Sequence, residues 1–288
     1  MRFQVIHKTA YRYTNGVSVS HHVARLTPRS LPRQTVLSHS LAIDPVPALR
    51  ADHDDYYGNR VAFFILEGKH QTLSVTAASE VEVQPFAPPP ETPTAPWERV
   101  RDGLNSAALA PDIVEFALPS PIIPRLPALA DYAAESFPPE RPLLEGVLDL
   151  TRRAHEDFKF DPKATTVATP LEQVIRQRRG VCQDFAHFEI GCLRALGLPA
   201  RYVSGYLETR PPPGKVKLVG ADASHAWVQV FMPPLGWIDV DPTNNLIPSD
   251  RHITLAYGRD FDDVSPIRGV LVGSGKHQLA VGVDVIPG

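Results

Sequence analysis

The sequence predicts an α+β protein in which an N-terminal β-sandwich precedes a core of helices packed on an antiparallel sheet. Alternating strand patterns fill residues 1 to 84, helical periodicity follows in the second half, and strand patterns return after residue 200. Helical segments followed by antiparallel strands are typical of a layered α+β arrangement. The 288 residues are 43% hydrophobic, which supports a buried core rather than a disordered chain.

The N-terminal region contains strand-like segments separated by turn signals at residues 14–16 and 57–59. Their short spacing predicts an antiparallel sandwich over residues 1–84. Residues 85–96 are rich in proline and predict an extended linker. A second domain, with further strands at its C-terminus, is expected over 97–288. The N-terminal strand-like segments are Phe3–Tyr13, Val36–Ile43, Arg60–Leu66 and Gln71–Val83.

The second region begins with helices. A buried stripe at three- and four-residue spacing predicts one helix between residues 144 and 158. The segment Thr169–Glu172 has the pattern of a capping box and predicts a short helix that ends near Arg179, because Gly180 is a natural stop. A new helix is expected to start at Cys182 and to end at Gly197. The predicted strands that follow are Arg201–Leu207, His225–Met232, Gly236–Asp241, Ile253–Tyr257, Val270–Val272 and Gln278–Ile286.

Composition excludes several classes of function. A formal net charge of −3 gives no electrostatic reason for binding nucleic acid or an anionic membrane surface. The N-terminus alternates polar and apolar residues and lacks the apolar segment of a secretory signal, and no apolar run is long enough to span a bilayer. The cytoplasm is therefore the expected location.

Two cysteines are present, Cys182 and Cys192. On one helix they lie about 15 Å apart. A disulfide between them is therefore not expected, since it requires Cα atoms within about 7 Å. The spacing of the cysteines also gives no zinc signature.

The two cysteines have different predicted roles. Cys182 stands at a helix N-terminus, where unpaired N–H groups and the helix dipole stabilise a thiolate and can bind an oxyanion. Arg178 and Arg179 lie just upstream and add positive charge. Cys192 falls on the apolar face of the same helix and is expected to be a buried hydrophobic residue.

The hairpin after residue 224 pairs an imidazole with a carboxylate. His225 and Trp227 share one strand face, and a turn at residues 233–235 places Asp241 opposite Trp227. His225 is then the diagonal neighbour of Asp241, about 7–8 Å away between Cα atoms. Asp239 lies too far along the strand to reach His225. Asp241 is thus expected to orient His225 and to leave its other nitrogen free for a thiol.

Other polar residues near these segments have two interpretations each. Asp184 either complements the helix dipole or binds substrate. Trp227 either lines the site or packs across the strands. Asp222, in the loop before His225, is a candidate auxiliary group. Asp184, Trp227 and Asp222 are together the candidate substrate-binding residues. His187 lies about 140° around the helix from Cys182 and is expected to point away from the thiol.

The segments Gly180–His187, Leu196–Tyr206 and His225–Thr243 together resemble the transglutaminase-like superfamily of papain-fold thiol enzymes. The N-terminal β region, and the segment that follows Tyr257, are similar to the bacterial branch of that family, which carries a dedicated N-terminal domain. The resemblance covers nearly the whole chain. It implies a papain/transglutaminase-like catalytic core behind the N-terminal β region.

The resemblance also implies Cys182 as the nucleophile, His225 as the general base and acid, and Asp241 as the orienting group. It implies no cofactor and no metal for catalysis. Hydrolysis of peptide or isopeptide bonds through a thioacyl-enzyme is the expected reaction, with a peptide or protein amide as substrate. Transamidation of the protein-glutamine gamma-glutamyltransferase type is the alternative. A non-catalytic binding module that retains the fold is the third hypothesis.

Overall fold

The structure is a computed structural model that describes residues 1–86, 94–104, 111–209, 222, 224–273 and 275–288. The strands are β1 (Arg2–Ala24), β2 (Gln34–Asp44), β3 (Leu49–Asp54), β4 (Arg60–Val83), β5 (Lys159–Phe160), β6 (Arg179–Gly180), β7 (Ala200–Leu207), β8 (Ser224–Met232), β9 (Gly236–Val240), β10 (His252–Gly258), β11 (Ile267–Val272) and β12 (His277–Pro287). The helices are α1 (Trp97–Gly103), α2 (Pro111–Val114), α3 (Pro127–Ala134), α4 (Leu143–Asp157), α5 (Leu171–Gln177), α6 (Cys182–Ala195) and α7 (Phe261–Val264), with a 3₁₀ turn at Glu115–Ala117.

A six-stranded antiparallel sheet forms the N-terminal β region. Its centre is the pair β1 and β4, which are 23 and 24 residues long, so each carries two partners along its outer edge. The β-rich N-terminal region is confirmed, although its strands hydrogen-bond as one sheet rather than as the two sheets of a sandwich.

The turn predicted at residues 14–16 is wrong, because β1 runs through it. Register shifts between Arg12 and Val19 absorb the irregularity as a bulge, and bulges favour the same residues as turns. On the partner strand, Gly68 has a φ of +86° at the same place. The strands predicted on either side of Gly68, Arg60–Leu66 and Gln71–Val83, therefore form one strand, β4.

The C-terminal strands complete the N-terminal sheet. β12 pairs with β1 from Phe3 to Tyr13, and β11 pairs with β1 from Val19 to Ala24. Sheet membership thus crosses the boundary expected between residues 1–84 and 97–288, since the end of the chain returns to its beginning. Residues 87–93 of the expected linker lie outside the described residues, and the division into domains stays a prediction.

The second sheet has the order β10-β7-β8-β9, and α6 packs against β7 and β8. Alternate residues of β8, Ala226, Val228 and Val230, are buried in the same core cluster as Phe188 and Leu193 of α6. The α+β prediction is confirmed. Among the described helices, none combines the length and the apolar character that a membrane crossing requires.

The predictions for two helices need correction. Leu148, which the spacing assigns to the buried stripe of α4, is 36% exposed. The capping box before α5 does not form, because the Thr169 hydroxyl accepts a hydrogen bond from the backbone N–H of Thr166 instead. The helix ends at Gln177, and Arg178 takes the left-handed conformation (φ 48°) that was expected of a glycine.

Candidate active site

The start of α6 exposes backbone N–H groups beside a thiol. The Asp184 carboxylate accepts hydrogen bonds from the Val181 N–H (2.8 Å) and the Thr165 hydroxyl (2.6 Å). A Cβ at Gly180 would collide with that carboxylate, so the close approach requires glycine. The Asp184 N–H donates to the Val181 carbonyl. Within the described ranges, the N–H groups of Cys182 and Gln183 have no hydrogen-bond partner, because they belong to the first turn of the helix. They form a place for an oxyanion next to the partly exposed Cys182 sulfur.

The imidazole of His225 is hydrogen-bonded to a buried carboxylate. Its Nε2 is 2.7 Å from Oδ2 of Asp241, which is fully buried. The β8–β9 pairing sets Gln229 opposite Asp239, the register that the turn length predicted. Since Nε2 is used by Asp241, Nδ1 is the nitrogen left for Cys182.

The charge environment favours the protonated imidazole. Burial alone would lower the pKa of His225. Hydrogen bonds to Asp241 and Cys182, together with the charges of both groups, raise it to about 10. The arrangement therefore stabilises an imidazolium next to the sulfur, as a thiolate–imidazolium pair requires.

Five hydrogen bonds hold the Asp241 carboxylate. Oδ1 accepts from the backbone N–H groups of Thr243 (3.0 Å) and Asn244 (3.2 Å). Oδ2 accepts from His225 (2.7 Å), from Nδ2 of Asn244 (2.7 Å) and from Nε2 of His252 (3.2 Å). Burial would raise the pKa of Asp241, but these donors hold it well below its usual range. The carboxylate thus stays ionised at neutral pH and fixes the orientation of His225.

Comparison with known proteins places this site in a family. The chain matches the model of the bacterial transglutaminase-like N-terminal region over residues 3–82 and that of the transglutaminase-like superfamily over residues 130–242. An uncharacterised protein of Mycobacterium tuberculosis is 42% identical over 296 residues, covering 99% of this chain and 93% of its own length. The chain belongs to the transglutaminase-like superfamily.

Two further proteins are similar to this chain, one in fold and one in part of its sequence. The crystal structure of a candidate cysteine protease from Cytophaga hutchinsonii superposes with a TM-score of 0.76 at 21% identity, covering 100% of this chain and 91% of that one. This likeness supports the papain/transglutaminase-like fold. A protein-glutamine gamma-glutamyltransferase of Pseudomonas aeruginosa is 35% identical over 128 residues, which are 43% of this chain and 19% of that protein.

The three residues predicted to bind substrate are all buried, and the structure gives each a structural contact instead. Asp184 caps α6 as described above. The Trp227 indole donates to Oδ1 of Asp239 (2.7 Å) and stacks on His225 at 6.0 Å. Asp222 accepts hydrogen bonds from the Thr209 hydroxyl and from the Val285 N–H, so it ties its loop to β12. None of them is exposed enough to touch a substrate directly.

Sequence reasoning missed Asn244 and His252. Asn244 follows Asp241 by three residues in a polar turn, and this turn pattern is a signal that could have found it. His252 gives no such signal. It reaches Asp241 only because β10 pairs with β7 on the far edge of the sheet, which strand alternation alone does not reveal. His187 accepts from the N–H of Phe261 and is satisfied away from the thiol, as predicted.

Among the described residues, His225, Asp241 and His252 bring three possible metal-ligand atoms within 4.8 Å of one another. Hydrogen bonds join both imidazoles to the carboxylate through these atoms. We therefore interpret the cluster as a hydrogen-bonded group that serves the thiol, rather than as a metal centre.

Proposed function

We propose that this protein is a cysteine-dependent acyl-transfer enzyme that hydrolyses amide bonds in peptide or protein substrates, including isopeptides. One observation carries the proposal. The imidazole of His225 lies 2.7 Å from the buried Asp241 carboxylate, and the partly exposed Cys182 at the N-terminus of α6 helps to raise the pKa of that imidazole. This is the constellation that thiol acyl transfer requires.

The proposed reaction has two stages. The Cys182 thiolate attacks the amide carbonyl, and the oxyanion is bound by the N–H groups of Cys182 and Gln183. The His225 imidazolium gives its proton to the leaving amine, so the C–N bond breaks and a thioacyl-enzyme forms. Water then attacks the thioester while His225 accepts its proton, which releases the acid and restores the thiol. Asp241 keeps the imidazole in the required tautomer throughout.

Transamidation is the second candidate. It is favoured by the sequence similarity to the protein-glutamine gamma-glutamyltransferase of Pseudomonas aeruginosa. The same three residues would form the thioacyl-enzyme, and a primary amine would replace water in the second stage. The two functions differ only in the acceptor.

The test is a mixed peptide library containing glutamine, incubated with and without a fluorescent primary amine. New amino termini, or glutamate formed from glutamine, report hydrolysis, and labelled peptides report transamidation, whereas ammonia is released from glutamine in both reactions. Cys182→Ala removes the nucleophile, and Cys192→Ala is the matched control, because Cys192 is fully buried. We expect hydrolysis that Cys182→Ala abolishes and Cys192→Ala retains. Labelled peptides as the main product would select transamidation, and activity that survives Cys182→Ala would refute both.

We propose the cytoplasm as the location of the protein. Fractionation of cells that express the full chain tests it, and recovery with the membranes would contradict it.

A further inference from the structure

We propose that His252 is a positioning residue that shares the Asp241 carboxylate with His225 and so sets how tightly His225 holds its proton. The inference rests on the thiol mechanism proposed above. His252 does not contact Cys182 or a substrate in this role. It acts through Asp241 alone.

The geometry fixes His252 in place. It is the first residue of β10, and its side chain is 5% exposed. Its Nε2 is 3.2 Å from Oδ2 of Asp241, the same oxygen that binds His225 at 2.7 Å. The ring packs edge-on against Trp227 at 5.2 Å, and Trp227 is itself held by Asp239. The imidazole is therefore confined on one side by an aromatic ring and on the other by the carboxylate.

The second ring nitrogen of His252 makes no hydrogen bond with a described residue while Nε2 contacts Asp241. Nδ1 of His252 is buried and has no hydrogen-bond partner within the described part of the chain. Because the ionised Asp241 only accepts, Nε2 of His252 donates to it, and Nδ1 is a buried polar atom without a partner in the described ranges. A buried polar atom without a partner is uncommon in folded proteins and calls for an explanation. A role for the Nε2 contact in the function of the site supplies one.

Sharing one oxygen has two consequences for the chemistry. The second donor stabilises the ionised form of Asp241, so the carboxylate persists to lower pH. It also draws part of the carboxylate charge away from His225, so the imidazolium releases its proton to a leaving amine more readily. Removal of the donor should therefore leave the proton more tightly held on His225 and move upward the limb of the pH profile that His225 sets. The other titratable or charged groups around the cluster are Cys182 and Glu189 on α6, Asp239 on β9 with its partner Arg33, and the ion pair of Arg251 with Glu208.

The test compares two substitutions of His252 that differ in hydrogen bonding. His252→Phe keeps a flat ring against Trp227 and removes the donor. His252→Gln places an amide N–H near the position of Nε2. Alkylation of Cys182 by iodoacetamide is followed by peptide mass spectrometry from about pH 5 to about pH 12, which spans the His225 pKa of about 10 and the expected shift, with the melting temperature of each variant measured alongside.

We expect His252→Phe to move the His225 limb of the profile up by about one pH unit, which corresponds to a tenfold change in proton affinity. His252→Gln should keep the wild-type profile. Equal shifts in the two variants, or no shift in either, would overturn the inference. If His252→Phe does not fold, His252→Asn replaces it, because the shorter amide does not reach Oδ2 and should shift the profile in the same way.

A third variant separates this inference from the proposed function. His225→Ala should change the alkylation profile strongly, because it removes the imidazolium beside the sulfur. A profile that His225→Ala leaves unchanged would refute the thiol mechanism itself. A profile that responds to His225→Ala but not to His252→Phe would refute only the role of His252.

Discussion

Asp241→Asn removes the charge that holds His225 while keeping the shape of the side chain. The pKa of His225 stands at about 10 instead of 6.5, because Asp241 and Cys182 outweigh burial. A rise of that size corresponds to about 5 kcal/mol in favour of the imidazolium. If Asp241 supplies about half of it, the substitution lowers the imidazolium-to-imidazole ratio on the order of 100-fold.

In Asp241→Asn, the side-chain amide also places an NH₂ group where the carboxylate has an oxygen that accepts hydrogen bonds. Both oxygens of Asp241 accept hydrogen bonds, so an asparagine NH₂ group must point at donors on one side or the other. If it points at His225, Nε2 has to become the acceptor, and the proton moves to Nδ1, where it faces Cys182. His225 can then no longer accept the thiol proton, which is the tautomer fault expected when a triad carboxylate is lost.

The assay is the rate of alkylation of Cys182 by iodoacetamide at pH 6. We expect Asp241→Asn to slow it by about 10- to 100-fold, because a proton held on Nδ1 prevents His225 from accepting the thiol proton. Asp239→Asn is the matched control, since Asp239 is a buried carboxyl on the same strand that accepts from Trp227 rather than from His225. An unchanged rate in Asp241→Asn, or an equal loss in Asp239→Asn, would refute the reasoning.

Three further predictions concern stability, measured by urea denaturation. Burial raises the pKa of Glu189 to about 8, whereas an unfolded glutamate titrates near 4.3, so the unfolded state ionises first and stability falls as pH rises between those values. Glu189→Gln should therefore be more stable than wild type by about 1–3 kcal/mol at pH 8 and equal to it at pH 4, and a constant difference would contradict this. Arg194→Lys should cost about 2–4 kcal/mol, because the buried guanidinium donates to three backbone carbonyls that one ammonium cannot reach together, and a loss below about 1 kcal/mol would contradict it. Val285→Asp should destabilise by several kcal/mol because Val285 is buried in the main core, while Val281→Asp, exposed on the same strand, should not.

The parts of the site that the sequence predicted are those set by local rules. The start of α6 at Cys182 follows from its apolar face and from the stop at Gly197. The approach of His225 to Asp241 follows from the turn length and from strand alternation, which together fix the register of one hairpin. Both are short-range relationships, so they can be derived without knowledge of the rest of the chain.

The parts that were missed depend on contacts distant in sequence. Alternation indicates which face of a strand is buried, but not which strand lies beside it. The pairing of β11 and β12 with β1, and the approach of His252 to Asp241, were therefore beyond reach. Turn signals at residues 14–16 failed for a different reason, because the same residues also favour a bulge inside a long strand.

Selective alkylation of the two cysteines tests the central claim most directly. Iodoacetamide at pH 5–6 should label Cys182, whose sulfur is partly exposed beside His225, and should spare Cys192, whose thiol pKa is raised well above its ordinary value by burial. His225→Ala should abolish most of the labelling at that pH. Labelling of Cys182 that is as slow as that of Cys192, or as fast in His225→Ala as in wild type, would contradict the proposed enzyme.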